Sequence, residues 1–397
     1  MVKTLIFSTN ENIAMHILRC LSDVRIRTCV MGISKFHPIR LSRYCDNYVT
    51  YKLQDLLEDD NDIINNINNY CVQQKIDIVM PAGIEATLFV SEIRDRITTA
   101  KVFPLAKLET LKILNNKWNF GELMNKNGIS CPKTILITDM GQLESLVLEF
   151  PIIIKQLELE SGKGVAKLNS YEELETYIYS KNEFSRLPLL IQEYIPGLDM
   201  GINVLAKNGK IIAWSIQRYR SNTNITEFIK DLNILNIGRQ IVSCCNYTGV
   251  ANIDMRFDDR DNSIKVTECN PRFWGSVDIS LLSGVNFAYL GILLANDSTS
   301  TEDINRNINY KEITYMKPKM FIYETLKNMS LKDVNGHNLF FMHEIIFDPL
   351  SYGYMNIILL VARLKRLTID THKQLDIIFK KKNRQLYGTK LGRMART

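Results

Sequence analysis

The chain is 397 residues long, which predicts two or three domains, each with a core of its own. Its 46% hydrophobic and 23% charged residues are typical of globular proteins and exclude general disorder. Residues 363–397 hold eleven Lys or Arg and two Asp, a net of +9, so the formal charge of +6 leaves −3 for residues 1–362 and excludes a strongly basic, nucleic-acid-binding body.

Strands and helices alternate in the first hundred residues. The pattern predicts strands at Thr4–Ser8, Arg27–Ile33 and Ile76–Met80, and helices at Asn12–Ser22 and Leu53–Gln74. Such alternation predicts a parallel sheet with helices on its faces.

The turns of this first region indicate what it binds. No G-x-G-x-x-G follows the first strand, where the sequence reads Ser8-Thr9-Asn10-Glu11, so NAD is not expected in the usual position. The segment Pro81–Thr87 follows a strand at the end where α/β proteins bind ligands. Glu85 in this segment either faces a substrate or only stabilises the dipole of the helix that it opens.

The pattern changes from about residue 105. A helix is predicted at Leu108–Asn127, ending at Gly128, and the segment Asn296–Asn309 is polar and linker-like. Between them the pattern predicts strands at 134–137, 151–155, 189–194, 201–206 and 210–217, helices at 171–180 and 227–245, and a hairpin at 250–270.

The hairpin carries the sharpest chemical signal. Its strands flank a polar turn at 258–263, and a register nearly symmetric about that turn places Asp254 opposite Glu268. Two facing carboxylates repel, and a divalent cation between them removes the repulsion. Together with the Asn270 amide they form the oxygen-only set that Mg²⁺ prefers, with Mn²⁺ as a second choice. The alternative interpretation is an ordinary hairpin with polar faces.

The residues after the hairpin favour the metal interpretation. The sequence continues Asn270-Pro271-Arg272-Phe273-Trp274-Gly275-Ser276. Arg272 either pairs with the acidic residues or reaches a transferring phosphoryl group, whose oxygens its guanidinium fork matches. Pro271 and Gly275 predict an irregular turn with exposed backbone.

The run from Asn252 to Ser276 resembles the metal-binding end of the ATP-grasp superfamily. It is most similar to the carboxylate–amine ligases of the carbamoyl-phosphate-synthase-like and D-aspartate-ligase-like groups. The resemblance implies a mixed α/β and α+β fold. Its parts are an N-terminal parallel-sheet pre-ATP-grasp domain (1–107), a small ATP-grasp subdomain (108–190), a large subdomain with the metal site (191–300) and a C-terminal extension with a basic tail (301–397).

The resemblance also implies roles for individual residues, each of which has an ordinary structural alternative when taken alone. It assigns metal binding to Asp254, Glu268 and Asn270, and catalysis to Arg272 and Lys163. It assigns ATP binding to Lys117, Lys155, Ser161, Gly162, Gly164, Gln192, Glu193, Tyr194, Ile195 and Asp199. It assigns substrate binding to Glu85, Arg218, Arg220, Gly275 and Ser276. The sequence departs from the family pattern at Gln156, where proline is common, and at Cys269, where an aliphatic residue is usual.

The resemblance implies an ATP-dependent ligase. A carboxylate, expected to be an amino acid or peptide, attacks the γ-phosphate, ADP leaves, and an amine displaces phosphate from the acylphosphate. Two alternatives stay open. One is an ATP-grasp enzyme with a thiol or hydroxyl acceptor or with carboxyphosphate chemistry, and the other is a non-catalytic nucleotide-binding protein. ATP, a small carboxylate and a small amine are the expected partners, nucleic acid is not, and a homodimer is left open.

Cysteine usage and the tail bear on location. Eight dispersed cysteines without a C-x-x-C pair argue against zinc and, with no signal peptide and no long apolar run, favour the cytoplasm. The tail is expected to be a docked helical appendage with a solvated basic end. The alternative is an electrostatic contact with an anionic membrane or an acidic partner.

Overall fold

The computed structural model describes residues 2–58, 60–145, 149–158, 164–179, 187–220, 225–296, 299–316 and 348–357. The chain divides into two units. The first comprises Met1–Lys35 and Arg43–Phe341, and the second comprises Phe36–Ser42 and Met342–Thr397.

A five-stranded parallel sheet forms from the N-terminal sequence, in the order β3-β2-β1-β4-β5. The elements are β1 (Lys3–Ser8), α1 (Glu11–Asp23), β2 (Arg27–Gly32), β3 (Cys45–Thr50), α2 (Asp55–Glu58), α3 (Asp60–Gln74), β4 (Ile78–Ala82), α4 (Ile84–Glu92) and β5 (Lys101–Val102). The predicted alternation and parallel sheet are confirmed. The prediction missed β3 and β5 because one is a polar, half-buried edge strand and the other has two residues.

The turn after β1 is held by side chains rather than by glycines. The Asn10 side chain caps α1 by accepting a hydrogen bond from the Ile13 amide at 3.3 Å. The buried carboxylate of Glu11 accepts hydrogen bonds from the amides of Ile33 and Ser34 at 2.7 and 2.6 Å. These bonds fix the path of the chain that leaves β2.

A second sheet is antiparallel and has four strands, in the order β6-β9-β7-β8. Its region contains α5 (Leu108–Asn115), α6 (Lys117–Lys126), β6 (Thr134–Ile137), β7 (Ile152–Gln156), β8 (Ala166–Leu168), α7 (Tyr171–Tyr179) and β9 (Leu189–Glu193). The single helix predicted at Leu108–Asn127 is wrong. The first helix ends at Asn115, and Asn116 has an extended backbone. The Asn116 side chain accepts a hydrogen bond from the Asn119 amide and so caps a second helix that begins at Lys117.

The third sheet has six strands, in the order β14-β13-β10-β11-β12-β15. Its region contains β10 (Gly197–Lys207), β11 (Lys210–Tyr219), β12 (Ile225–Ile229), α8 (Leu232–Cys244), β13 (Gly249–Asp258), β14 (Ser263–Asn270), α9 (Phe287–Ala295), α10 (Thr301–Arg306) and β15 (Ile313–Met316). One face packs on α8 through an apolar core that includes Ile202, Ile216 and Ile234. The opposite face, called the polar face, carries Asn203, Gln217 and Asp254 on neighbouring strands, beside apolar residues such as Leu205.

Two predicted elements in this region are wrong. The helix predicted to start at Glu227 starts at Leu232, because Ile225–Ile229 forms β12 and Asp231 caps the helix through the amides of Asn233 and Ile234. The segment predicted as a linker contains α10. The strand β15 that follows pairs with β12, so the sheet continues past residue 300.

Asp278 ties the third sheet's region to the N-terminal helix. It lies in a short 3₁₀ turn, Val277–Leu281, and its buried carboxylate contacts His16 Nδ1 at 2.7 Å and Arg19 at 3.2 Å. Burial raises the pKa of Asp278, but His16 and Arg19 outweigh it and lower that pKa overall. The charged form of Asp278 therefore stabilises the fold.

We expect Asp278→Ala to lower the free energy of unfolding by about 2–3 kcal/mol, because two hydrogen bonds to a buried charge are lost. The contribution should be present above the ordinary carboxyl pKa of about 4 and disappear as the pH falls through the lower folded-state value. Urea unfolding at pH 7 and at pH 3 measures both. The control is Glu302→Ala on α10, an exposed position where the change should be small. Equal effects of the two variants would contradict this account.

Two findings bear on the membrane and the C-terminus. None of the helices in the described residues has the length and apolar character that crossing a bilayer requires. In the second unit, a helix spans 349–357 and Ser42 Oγ donates to Asp348 Oδ2 at 2.6 Å. The predicted basic tail, 363–397, lies outside the described residues.

Candidate functional site

The polar face of the third sheet carries the two carboxylates singled out in the sequence. Asp254 on β13 pairs directly with Glu268 on β14, so the predicted pair is confirmed. The register is not strictly symmetric about the turn, because it shifts by one residue between Met255 and Asp254. On the other side, Asp254 pairs with Gly201 of β10. A Cβ at residue 201 would lie 2.8 Å from the Ile253 carbonyl oxygen and 3.4 Å from Asp254 Oδ1. Because Gly201 has no side chain, it leaves room for the side chain of Asp254.

The electrostatics of this pair favour a bound cation. Desolvation, and then the charge of Glu268, raise the pKa of Asp254 to about 7. Asn270 Nδ2 donates to Asp254 Oδ2 at 3.1 Å, and Lys117 Nζ lies 3.5 Å from Glu268 Oε2. Two carboxylates and an amide oxygen form a hard, oxygen-only donor set, which fits Mg²⁺ with further ligands from a nucleotide. Among the described residues, no three His, Cys, Asp or Glu side chains cluster as a metal site by themselves.

Arg272 lies next to this donor set. It follows β14 in a tight turn and is 7% exposed. One guanidinium nitrogen donates to the Phe273 carbonyl oxygen at 2.8 Å, and another donates to Asn270 Oδ1 at 3.2 Å. The guanidinium is therefore held in place beside Asn270 before any ligand arrives.

A cavity of about 360 Å³ lies between the second and third sheets, and the carboxylate pair forms part of its wall. It brings together eight of the predicted residues, which come from five strands and the connection between β9 and β10: Lys155, Gln192, Glu193, Tyr194, Ile195, Asp199, Asp254 and Glu268. Residues that the sequence analysis did not single out also line it, among them Tyr219, Arg256 and Thr267.

Lys155 is the buried cation of this cavity. It lies near the end of β7 and is 5% exposed. Burial lowers the pKa of Lys155 to about 8, while Glu268 opposes and Lys117 adds to that shift. A buried ammonium is costly unless an anion meets it, so an anionic ligand in the cavity would stabilise its charged form.

The β9 end of the cavity is held by side-chain contacts. Gln192 Nε2 donates to Thr134 Oγ1 at 2.8 Å, and Glu193 pairs with Arg260 at 2.6 Å. Lys167 on β8 lies over the Tyr194 ring, 3.8 Å from its centroid. Glu193, Tyr194 and Ile195 all line the cavity, and the Glu193 amide donates to the Lys133 carbonyl oxygen at 2.9 Å.

Arg256 is a site residue that the sequence analysis missed. Its guanidinium donates to the carbonyl oxygens of Ile195 and Gly197 at 2.9 and 2.8 Å and forms an ion pair with Asp199. It thereby fixes the turn after β9 and the Asp199 carboxylate, which is 61% exposed. Strand alternation placed Arg256 on the Asp254 face, but nothing in the sequence revealed its partners.

Other predicted site residues lie apart from the cavity wall. Arg218 and Arg220 pair with Glu227 at 2.9 and 2.6 Å. Arg218 and Tyr219 are adjacent on β11, so by alternation their side chains point to opposite faces, and Tyr219 lines the cavity. Glu85 Oε2 accepts a hydrogen bond from Thr9 Oγ1 at 2.9 Å within the N-terminal region.

The two predicted loop regions differ in what the structure describes. Gly275 is exposed, and a Cβ built on it would meet no atom within 4 Å, which leaves room for a ligand. Ser276 precedes the Val277–Leu281 turn. Gly164 has a φ of 67°, whereas Ser161, Gly162 and Lys163 lie outside the described residues.

A family model and several characterised proteins match parts of the chain. Residues 185–317 match a family model described as ATP-grasp in the biosynthetic pathway with Ter operon. The chain is 27% identical to the multifunctional protein URA2 of Saccharomyces cerevisiae over 193 residues, 44% of this chain and 9% of that protein. It is 24% identical to a D-aspartate ligase of Enterococcus faecium over 273 residues, 62% of this chain and 63% of the relative. The chain thus spans only part of these relatives.

Solved structures share the fold. An L-amino acid ligase from Bacillus licheniformis matches with a TM-score of 0.60 at 15% identity, covering 79% of each chain. Biotin carboxylase from Campylobacter jejuni matches with a TM-score of 0.60 at 15% identity, covering 79% of this chain and 75% of the other. At these identities the likeness shows the fold alone.

Proposed function

We propose that this chain, which contains an ATP-grasp domain, is an ATP-dependent ligase that joins a carboxylate to an amine through an acylphosphate. The observation that supports this most is the position of the Asp254–Glu268 pair on the wall of a cavity that also contains the buried Lys155. A divalent cation would balance the negative charges of the two carboxylates, and a triphosphate would balance the positive charge of Lys155.

The chain's residues would bind the nucleotide as follows. Lys155 and Lys117 would neutralise phosphate oxygens, and the backbone from 193 to 195 would supply hydrogen bonds to the base. Asp199, held by Arg256, would accept hydrogen bonds from the ribose hydroxyls. The predicted loop residues Ser161, Gly162, Lys163 and Gly164 would cover the phosphates, with Lys163 as a catalytic cation.

The acidic residues and Arg272 would serve the chemical step. Asp254, Glu268 and the Asn270 oxygen would hold Mg²⁺, or Mn²⁺ in its place, and the ion would neutralise charge on the phosphates. Arg272 would stabilise charge on the transferring phosphoryl group and later on the tetrahedral oxyanion. The open space at Gly275 and the neighbouring Ser276 would receive the acyl end of the substrate.

The substrate class is supported by the relatives. A D-aspartate ligase and an L-amino acid ligase resemble the chain in sequence and in fold, respectively, so an amino acid or peptide carboxylate and an amine are the proposed substrates. Glu85, Arg218 and Arg220 stay predictions as substrate contacts. A cytoplasmic location is a further part of the proposal and is supported by the dispersed cysteines, whereas a homodimer stays open.

A paired screen tests the function. Amino acids and dipeptides are supplied in pairs with ATP and Mg²⁺, ADP release is measured, and mass spectrometry identifies a product with a new C–N bond. We expect ADP release that requires both members of at least one pair. A hydroxyl or thiol product would support the other acceptor class. ATP binding without ADP release from any pair would overturn the proposal in favour of a nucleotide-binding protein.

We expect Lys155→Met to remove nucleotide binding without lowering the thermal stability of the ligand-free protein. Burial of the ammonium is costly in the ligand-free protein, so an apolar side chain of similar length should leave its Tm unchanged or raise it. The rise in Tm that ATP gives to the wild type should be lost. Thermal unfolding with and without ATP measures both. The control, Lys207→Met at the exposed end of β10, should keep the ATP effect. A Lys155→Met protein that ATP still stabilises fully would contradict the assignment.

A further inference from the structure

A chain of hydrogen-bonded side chains crosses the polar face of the third sheet. Asn252, Asn203 and Gln217 lie on the neighbouring strands β13, β10 and β11, and each is at most 5% exposed. Asn203 is registered directly opposite Asn252 on one side and opposite Ser215 on the other. Buried amides are costly unless they are bonded, so their hydrogen bonds explain why a sheet interior tolerates them.

The links of this chain run in one direction. Asn270 Nδ2 donates to Asn252 Oδ1 at 3.0 Å, and Asn252 Nδ2 donates to Asn203 Oδ1 at 3.1 Å. Asn203 Nδ2 donates to Ser215 Oγ at 3.2 Å and, in the longest link, to Gln217 Oε1 at 3.5 Å. Gln217 Nε2 donates to the Tyr219 hydroxyl at 2.7 Å. We call these residues the polar chain.

The direction follows from Arg272. A guanidinium has donors only, so the Asn270 atom that faces it at 3.2 Å is the amide oxygen, and the Asn270 nitrogen points to Asp254 and Asn252. Each following amide must then present its oxygen to the preceding nitrogen. At the far end the Tyr219 oxygen accepts a hydrogen bond, and its one proton remains for another acceptor. Tyr219 lines the cavity that Asp254 and Glu268 also line.

We propose that Asn252 and Asn203 are positioning residues that hold the Asn270 amide oxygen for the metal, and that Tyr219 donates a hydrogen bond to an oxygen of the bound nucleotide. The inference rests on the proposed function, because it assumes that a metal–nucleotide complex occupies the cavity. It adds residues to which neither the sequence nor the likeness to other proteins gave a role.

The proposal separates two effects. Asn252→Leu removes an acceptor of the Asn270 amide and the donor to Asn203 at nearly constant volume, so Asn270 loses part of its support. Loss of a partner that orients a metal ligand typically costs 10–100-fold in metal affinity. Tyr219→Phe keeps the ring and removes only the hydroxyl. Loss of one hydrogen bond to a charged group corresponds to about tenfold in nucleotide affinity.

The experiment uses the full chain and two titrations. Binding of a non-hydrolysable ATP analogue is measured by calorimetry in EDTA, and Mn²⁺ binding to the analogue-saturated protein is measured by electron paramagnetic resonance. We expect Asn252→Leu to weaken Mn²⁺ binding about 10–100-fold without changing metal-free nucleotide binding. We expect Tyr219→Phe to weaken metal-free nucleotide binding about tenfold.

A buried side branch of the polar chain provides the matched control. Ser215 is fully buried and accepts from Asn203 Nδ2, which keeps Gln217 as an acceptor when the hydroxyl is removed. Ser215→Ala should therefore leave both affinities unchanged, although it also removes a buried polar group. If Asn252→Leu fails to fold, Asn203→Leu replaces it, with a smaller loss of Mn²⁺ affinity expected.

The outcomes distinguish this inference from the function on which it rests. A wild-type protein that binds neither the analogue nor Mn²⁺ overturns the proposed function and the inference together. A wild type that binds both, with the same Mn²⁺ affinity in Asn252→Leu and the same nucleotide affinity in Tyr219→Phe, overturns the inference alone. Equal losses of Mn²⁺ affinity in Asn252→Leu and Ser215→Ala would mean that the polar chain has only a structural role, and they would also overturn the inference.

Discussion

Asp254→Asn and Glu268→Gln should each lower substrate-dependent ADP formation by about 10³-fold. Each replacement removes one carboxylate from the proposed Mg²⁺ site, and several kcal/mol of charge stabilisation at the phosphates are lost with it, at about 1.4 kcal/mol for each factor of ten. Steady-state assays with saturating ATP and a range of Mg²⁺ concentrations measure the loss.

The same substitutions should leave the ligand-free fold intact. Burial and Glu268 raise the pKa of Asp254 to about 7, so ionising this carboxyl group costs stability in the folded protein, and the cost is fully present above that pH. A neutral asparagine side chain in place of Asp254 removes this cost. At pH 8 the Tm of Asp254→Asn should therefore equal or exceed that of the wild type.

A carboxylate on the same hairpin serves as the control. Asp261 lies in the exposed turn between β13 and β14, where it pairs with Lys265 at 3.3 Å. Asp261→Asn should retain wild-type ADP formation. Near-wild-type turnover in both Asp254→Asn and Glu268→Gln would contradict the metal assignment, and so would an equal loss in Asp261→Asn.

Arg272→Lys should lower kcat by about 10²–10³-fold while the affinity for ATP changes little. The arginine fork contacts Phe273 and Asn270 at once, which orients its remaining N–H groups before substrate binds. A lysine keeps the charge but is a single flexible point donor, so it cannot keep both contacts and also meet a phosphoryl group. Single-turnover kinetics and nucleotide titration separate the chemical step from binding.

Arg239 provides the matched surface position for this test. It lies on the exposed face of α8 and donates to Asn236 at 2.9 Å. Arg239→Lys should leave kcat and ATP affinity unchanged. If the ATP affinity of Arg272→Lys falls by the same factor as its kcat, Arg272 acts in ground-state binding and the proposed catalytic role is wrong.

The sequence predicted those parts of the site that depend on residues close to one another along the chain. Two strands joined by a short polar turn bring Asp254 close to Glu268. A register symmetric about that turn would pair Asp254 with Thr267, and the one-residue shift between Asp254 and Met255 that pairs it with Glu268 was not visible in the sequence. The burial of Cys269 follows from strand alternation. Most residues of the N-terminal sheet were likewise visible as apolar runs between helical patterns.

The parts that the sequence did not predict depend on sheet order and on tertiary contacts. The polar chain joins β13, β10 and β11, and in the sequence β10 and β13 are separated by two strands and a helix. Arg256 obtains its role in part from the carbonyl oxygen of a residue 61 positions earlier in the chain. The break at Asn116 was hidden because both flanking segments have helical patterns, and Glu227 looked helical because β12 is short and partly polar.

Transfer of ¹⁸O from the substrate carboxylate to inorganic phosphate tests the central claim most directly. The active pair from the paired screen is supplied with ¹⁸O in both oxygens of the carboxylate that is activated, and the phosphate released with ADP is analysed by mass spectrometry. An acylphosphate formed at the γ-phosphate predicts one ¹⁸O atom in each phosphate. ADP and a ligated product with unlabelled phosphate would contradict the account.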